Sequence, residues 1–266
     1  MNTDDLSVFI SCSSVVSSQN DRLRARGLMI NFTTWDKLLR QYVDGQGRVD
    51  YGAWKAESPQ ALNQWLADIK PQDIHSQSHP DEQLALWINL YNAFTIASIL
   101  ERYPIASIQP KILGIPNWIA FLWFFLRPSH KVASRRYSLN QIEHNILRRE
   151  FDEPRIHFAL VCASIGCPLL RNGAYWPELV RSQLEEDAIR FINNPDKVRY
   201  DCQSQTLYCS KIFKWYRSDF LKVAPSIPDY IRSYLKTDVT IGSNTPVVYL
   251  NYDWSLNRPL ARSRSF

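Results

Sequence analysis

Residues 81–103, DEQLALWINLYNAFTIASILERY, decide how the rest of this chain folds. The apolar side chains of the segment cover most of the circumference of a helix, which is typical of an element buried at the centre of a domain. Two amides, Asn89 and Asn92, lie three residues apart on one face of it. Because an unpaired buried amide costs about 1–3 kcal/mol, we expect both side chains to bond to backbone, water or a ligand.

Helical periodicity also appears around residues 33–42, 62–69, 179–192 and 211–221, and short strand patterns at 198–200, 206–209 and 246–252. This order predicts an α+β fold, in which a helix-rich N-terminal half packs on a mainly antiparallel sheet. We expect residues 29–266 to form a single globular domain. Residues 1–28 lack such periodicity and are predicted to be an ill-ordered extension.

The composition narrows the function classes. The formal charge of +5 is scattered along 266 residues, and no glycine-rich phosphate motif is present, so neither nucleic acid nor nucleotide is an expected partner. Five cysteines, an odd number, indicate free thiols in a reduced compartment, here the cytoplasm. Their spacing lacks the tight C-x2-C pair of zinc sites. We therefore expect no metal and no cofactor.

A candidate nucleophile lies in residues 155–168, RIHFALVCASIGCP. The strand-like first part delivers Cys162 to a turn rich in Ser, Gly and Pro. A thiol in such a turn, near free N–H groups and histidines, can be held as a thiolate. The alternative is a buried cysteine that packs as a small hydrophobe, and this window taken alone slightly favours it.

A second group of candidates follows a capping box at residues 138–141, SLNQ. In the helix that this box opens, Glu143 falls inside the apolar stripe and His144 lies at its edge. An inward carboxylate either pairs with a cation, with Arg155 or Arg171 as candidates, or orients a catalytic group. The sequence leaves both readings open.

Either His144 or His157 could act as the base for Cys162. In a regular strand, at about 3.3 Å per residue, His157 and Cys162 would lie about 16 Å apart on opposite faces. We therefore favour His144. His157 is the alternative if the chain bends sharply between the two residues, and Glu143 would then orient His157 as in a catalytic triad.

One intensely apolar run, Trp118–Leu126, reads WIAFLWFFL. Nine residues are too few to cross a bilayer as a helix. We expect a buried segment that covers the core. The alternative is contact with a membrane surface or a protein through Trp118, Phe121, Trp123 and Phe124, and the oligomeric state is left open.

Four blocks of sequence resemble the domain of unknown function 547 (DUF547) family, over about residues 32–257. They are WINLYN at 87–92, IEHNILR at 142–148, HFALVCASIGCP at 157–168 and KIFKWYRSDF at 211–220. The family is similar to papain-like or transglutaminase-like cysteine hydrolases with a rearranged element order. Its plant members also resemble interaction modules. The run Trp118–Leu126 departs from the family pattern as an insertion before the IEH block.

The resemblance implies a cysteine-dependent hydrolase or acyl transferase that acts on an amide or peptide-like bond of a small substrate or peptide. The alternative is a non-catalytic binding or scaffold domain whose polar cluster is structural. The catalytic candidates are Cys162, His144, His157 and Glu143. The candidates for substrate binding are Asn89, Asn92 and Arg171.

Overall fold

The computed structural model describes residues 30–70, 74, 79–112, 115–128, 130–237 and 239–259. The predicted extension at residues 1–28 lies outside this part of the chain. The first helices are α1 (Thr33–Tyr42), α2 (Tyr51–Glu57), α3 (Ala61–Asp68) and α4 (Pro80–Arg102). Together they form the helix-rich N-terminal half that the periodicity predicts.

Helix α4 is the central element, as predicted. Every residue from Leu84 to Leu100 is buried. His79 caps the helix by accepting the N–H of Asp81, and Arg102 lies in the last turn, where a cation complements the helix dipole. By length and composition α4 could cross a membrane, but 94% of its apolar window is buried inside the protein. The position of α4 in the core therefore explains its apolar composition.

The middle of the chain alternates hairpins with short helices. In order, these are β1 (Lys111–Ile112), β2 (Ile115–Pro116), α5 (Trp118–Leu126), β3 (His130–Val132), β4 (Arg135–Tyr137), a π-helix (Gln141–Leu147), α6 (Arg148–Glu150) and a 3-10 helix (Pro154–Phe158). The capping box is present, because Ser138 Oγ accepts the N–H of Gln141 and Gln141 Oε1 accepts the N–H of Ser138.

The predicted strand before Cys162 is absent. Pro154 begins the 3-10 helix instead, and Glu153 caps that helix by accepting the N–H of Arg155. The next residues follow no regular structure. The side chain of Asn92 bonds to the carbonyl of Ala159 and to the N–H of Val161, the groups that a neighbouring strand would otherwise use. The segment from His157 to Cys162 is therefore not the extended strand that the sequence predicted.

The C-terminal part contains α7 (Val180–Ile192), β5 (Val198–Asp201), β6 (Thr206–Cys209), α8 (Ile212–Trp215), α9 (Arg217–Phe220), α10 (Ile227–Arg232) and β7 (Val247–Tyr249). The α+β class is confirmed, but the expected single sheet is wrong. The described strands form two separate hairpins, β1–β2 and β3–β4, and a three-stranded sheet β5–β6–β7. In that sheet β5 and β6 are antiparallel, whereas β6 and β7 are parallel.

The buried side chains form two hydrophobic clusters. The first surrounds α4 and includes Ile142 and Leu147 of the π-helix. The second lies between α7, the β5–β7 sheet and helices α8–α10, and includes Phe158 and Phe220. Tyr252 packs against both clusters. The candidate site lies along this boundary.

Candidate functional site

A cavity of about 640 Å³ opens where the two clusters meet. Its walls come from α5, the π-helix, the segment around Cys162, helix α8 and the C-terminal segment. The polar groups that line it include Glu143, His144, His157, Cys162, Tyr216 and Tyr252. All four catalytic candidates from the sequence therefore reach one cavity.

The structure pairs Cys162 with Cys167 in a disulfide. The expectation of free thiols is wrong for these two residues and holds for Cys202, which is exposed, and Cys209, which is buried. Burial raises the pKa of Cys209 to about 12, so this thiol is inert at neutral pH. Both cysteines line the cavity, Cys162 half-buried and Cys167 buried.

Short contacts hold the loop between the paired cysteines. Ser164 Oγ lies 3.4 Å from Cys162 Sγ and 3.2 Å from Cys167 Sγ. The hydroxyl of Tyr252 lies 3.6 Å from Cys162 Sγ and 3.2 Å from Cys167 Sγ. Ala163 adopts a φ of 63°, in the left-handed region, at the start of the turn. Within the described residues, neither His144 nor His157 makes a hydrogen bond to Cys162 Sγ.

Both side-chain amides of α4 position backbone, and in each of them the oxygen and the nitrogen have partners within the protein. Asn92 holds the chain on either side of Leu160, with bonds of 3.0 Å to Ala159 O and 3.0 Å to Val161 N. Asn89 binds the N–H and the carbonyl of Tyr175 and also accepts from the indole of Trp35. Both amides thus bond to backbone, one of the outcomes expected from the sequence, and neither lines the cavity. Asn92 thus holds the irregular segment that leads to Cys162.

Glu143 accepts hydrogen bonds from two tyrosines. Tyr91 donates at 3.2 Å, and Tyr216 donates through a shorter contact. The expected cation partners bind elsewhere: Arg155 pairs with Glu153 and Glu185. Glu143 is therefore an inward carboxylate held by hydroxyl groups, with no ion pair in the described structure.

Arg171 pairs with Glu186 and Asp187 of α7. It does not line the cavity, so the structure does not support its expected role in substrate binding. Its guanidinium instead stabilises the buried carboxylate of Asp187, which also accepts from the hydroxyl of Tyr175.

His157 is a buried imidazole with a carboxylate partner. Its Nε2 lies 2.8 Å from Oδ2 of Asp219, and its ring stacks on Tyr216 with centroids 3.7 Å apart. Burial lowers the pKa of His157 and outweighs the hydrogen bond to Asp219, which acts in the opposite direction. The ring is therefore neutral at pH 7, with Nε2–H donating to the carboxylate. No hydrogen bond from a described residue reaches Nδ1.

Asp219 also binds a guanidinium. Burial opposes its ionisation, but hydrogen bonds from His157 and Arg148 outweigh that effect and hold the pKa of this carboxyl well below its usual range. Arg148 contacts both carboxylate oxygens, at 2.6 and 3.0 Å. The same guanidinium donates to Nδ1 of His144 at 2.8 Å, which leaves the ring proton of His144 on Nε2.

The π-helix accounts for the position of both residues of the Glu143–His144 pair. In this helix the N–H of Arg148 bonds to the carbonyl of Glu143, five residues back. The wider turn leaves a smaller angle between consecutive side chains than an α-helix does, so both neighbours face the cavity. With α-helical geometry, the sequence predicted His144 further round the helix.

Three residues of the site were not identified from the sequence: Tyr216, Asp219 and Tyr252. Tyr216 and Asp219 belong to the block at 211–220, which carries part of the family resemblance but suggests no catalytic role for either residue. An acidic residue on a short helix carries no pattern by itself, and only the fold brings Asp219 to His157. Among the described residues, no group of three or more His, Cys, Asp or Glu side chains is arranged to hold a metal ion.

A family model described as "Protein of unknown function, DUF547" matches residues 75–192. The matched range contains α4, the π-helix and the disulfide, but not Tyr216, Asp219 or Tyr252. No curated protein and no solved structure was found that matches the chain. Residues 75–192, which supply the cysteine pair and both histidines of the cavity, are thus similar to the DUF547 family.

Proposed function

We propose that the protein is a cysteine-dependent hydrolase or acyl transferase with Cys162 as its nucleophile, on a papain-like centre with rearranged element order. One observation carries this proposal: Cys162 and His157 line the same cavity, and Asp219, which does not line it, binds His157 Nε2 at 2.8 Å. A neutral imidazole oriented by a carboxylate is the usual means of activating a thiol. The distance argument against His157 assumed a regular strand, and the 3-10 helix at Pro154–Phe158 takes its place, so we take His157 rather than His144 as the base.

The disulfide has to open before this chemistry begins. A dithiol reductant attacks one sulfur, is itself oxidised to a disulfide, and leaves Cys162 and Cys167 as thiols. Cys162 Sγ then forms a bond to the carbonyl carbon of an amide or thioester, while its proton passes to Nδ1 of His157. Asp219 stabilises the resulting imidazolium through Nε2.

The intermediate collapses when His157 returns that proton to the leaving nitrogen or sulfur, and an acyl group remains on Cys162. Water, or another nucleophile in a transferase, attacks this thioester with His157 as base, and the proton returns to the released thiol. Burial raises the pKa of Tyr252, so its hydroxyl stays protonated and is available to donate to the oxyanion. This donor replaces Asn89 and Asn92, whose amides are occupied.

Alkylation rates test the activation of Cys162. After reduction, iodoacetamide should label Cys162 faster than the exposed Cys202, as peptide mass spectrometry resolves, although Cys162 is the less exposed thiol. Asp219→Asn should slow the labelling of Cys162 and leave that of Cys202 unchanged. Cys167→Ser should make Cys162 reactive without reductant. Equal rates for Cys162 and Cys202 in the reduced protein would refute the activation.

Covalent acylation tests the chemistry directly. The reduced protein is incubated with an acyl thioester of N-acetylcysteamine, and intact-protein mass spectrometry follows the acyl adduct. We expect an adduct on Cys162 that Cys162→Ala abolishes and Cys202→Ala does not affect. An adduct that persists in Cys162→Ala would place any nucleophile elsewhere.

The second candidate function is a non-catalytic binding or scaffold domain. It is favoured because the polar side chains of the site form hydrogen bonds to one another. Glu143 is satisfied by Tyr91 and Tyr216, and Arg148 joins Asp219 to His144. On this reading the network only holds the two clusters together. Glu143→Gln should then lower the melting temperature clearly, while Cys162→Ser leaves partner binding intact.

A further inference from the structure

Helix α5 has two apolar faces. Phe121 and Phe125 point inward and line the cavity. Ile119 and Trp123 are 82% and 57% exposed and do not line it. The only inward residue of α5 that is fully covered is Phe124, so the prediction of a buried segment holds for one face alone. A helix with this much uncovered aromatic and aliphatic surface is typical of a contact site.

The stretch of sequence around α5 carries charge of one sign. Residues 103–142 contain five basic side chains, Lys111, Arg127, Lys131, Arg135 and Arg136, and no Asp or Glu. The formal charge of this segment, +5, equals that of the whole chain. Arg127 follows the helix and stacks over Trp123, with its guanidinium 5.9 Å from the ring centroid. An exposed apolar face flanked by cations matches an anionic lipid surface.

We propose that α5 docks on an anionic membrane surface, and that the amphiphile entering the cavity from that surface carries an acyl chain. Helix α5 then separates the membrane from the cavity. Its outer face enters the membrane interface, and its inner face lines the cavity that also contains Cys162. Tryptophan suits this position, since its ring is apolar and its N–H favours the headgroup region. The choice of an acyl chain as substrate rests on the proposed function, whereas the docking does not.

The charge also argues against a second copy of the chain as the occupant. Two α5 faces in contact would bring two segments of the same sign together, and such pairing is repulsive. An anionic lipid surface meets the same cations with attraction. The dependence on lipid charge therefore separates the two occupants.

Flotation with vesicles tests the docking. The full chain is mixed with vesicles of phosphatidylcholine and phosphatidylglycerol in a three-to-one ratio, or with vesicles of phosphatidylcholine alone. We expect flotation with the anionic vesicles and at least tenfold weaker binding to the neutral ones. Ile119→Glu and Trp123→Glu should each weaken binding to anionic vesicles at least tenfold, because a carboxylate would replace an apolar side chain at the interface.

Leu179→Glu and Val223→Glu are the matched controls, since both residues are exposed at 43% and 56% and lie far from α5 in sequence. Neither should change flotation. Equal binding of all four variants would overturn the docking. A dimer in gel filtration that Ile119→Glu dissociates, without flotation of the wild type, would assign the face to a second copy instead.

The chain length of the thioester probe tests the substrate class. In the acylation experiment, a dodecanoyl thioester should label Cys162 at least tenfold faster than an acetyl thioester. Phe125→Ala, which alters the cavity wall, should reduce this ratio. Equal rates for both chains would overturn the acyl-chain assignment while leaving Cys162 as nucleophile. Absence of any adduct would overturn the proposed function, and flotation would still decide the docking by itself.

Discussion

The buried imidazole of His130 makes the stability of the fold sensitive to acid. The ring stacks on Phe94 with centroids 4.5 Å apart, and Nε2 lies 3.0 Å from the hydroxyl of Ser98. Burial, with a smaller effect of Arg102, lowers the pKa of His130 from 6.5 to about 4 in the folded protein. Between these two values the unfolded chain binds a proton that the native state does not.

The sign follows from this difference. The native state keeps its full stability above pH 6.5 and loses it as the pH falls towards 4. A difference of this size corresponds to about 3 kcal/mol at the acid limit, and to about 2 kcal/mol between pH 7.5 and pH 5. Urea unfolding followed by tryptophan fluorescence at both pH values measures the loss.

His130→Gln keeps a side chain that can bond to Ser98 but cannot titrate. The variant should therefore lose about 2 kcal/mol less than the wild type between pH 7.5 and pH 5. Comparison of the two proteins cancels the contribution of the other titrating groups. If wild type and variant lose the same free energy of unfolding, His130 titrates alike in the folded and unfolded states, and the reasoning from its burial is refuted.

Two further substitutions test the packing beneath the site. Gly166→Ala would place a Cβ 2.7 Å from the ring of Tyr252, so we expect a loss of about 1–3 kcal/mol in urea unfolding, whereas Gly45→Ala, with nothing within 4 Å, should stay within about 0.5 kcal/mol of the wild type. Asn92→Ala would remove the hydrogen-bond partners of Ala159 O and Val161 N. The free energy of unfolding, measured by thermal unfolding, should fall by about 3 kcal/mol. An unchanged melting temperature for Asn92→Ala would mean that the chain before Cys162 is held by other contacts.

The parts of the fold that sequence could predict are those set by local periodicity. The helix α4 and the capping box at Ser138 depend on residues within one or two turns of each other, so their patterns are legible in the chain. The approach to Cys162 was misread as a strand for the opposite reason. Its apolar residues fit a strand, but a side chain of α4, Asn92, takes the backbone bonds that a sheet would have made.

The site shows the same division. Cys162, Glu143 and His144 are visible because each lies in a recognisable local context. The pairing of His157 with Asp219 spans 62 residues and depends on how the second cluster folds back against the first. The π-helical turn at Glu143 also could not be predicted, because the sequence analysis assumed the α-helical rotation of about 100° per residue. A π-helical turn contains one more residue, and the amino-acid composition does not reveal it. Contacts between residues far apart in sequence, and irregular helical turns, are thus the features of the site that only the structure reveals.

Asp219 joins elements on the two sides of the boundary between the hydrophobic clusters, through its bonds to Arg148 and His157. It lies on α9, beside Phe220 of the second cluster, while Arg148 follows the π-helix that packs in the first. If the two clusters moved apart along this boundary, Asp219 would lose its hydrogen bonds to Arg148 and His157 together. This side of the boundary is therefore fixed by charged groups, whereas the aromatic side chains of α5 that line the cavity, Phe121 and Phe125, have no such ties.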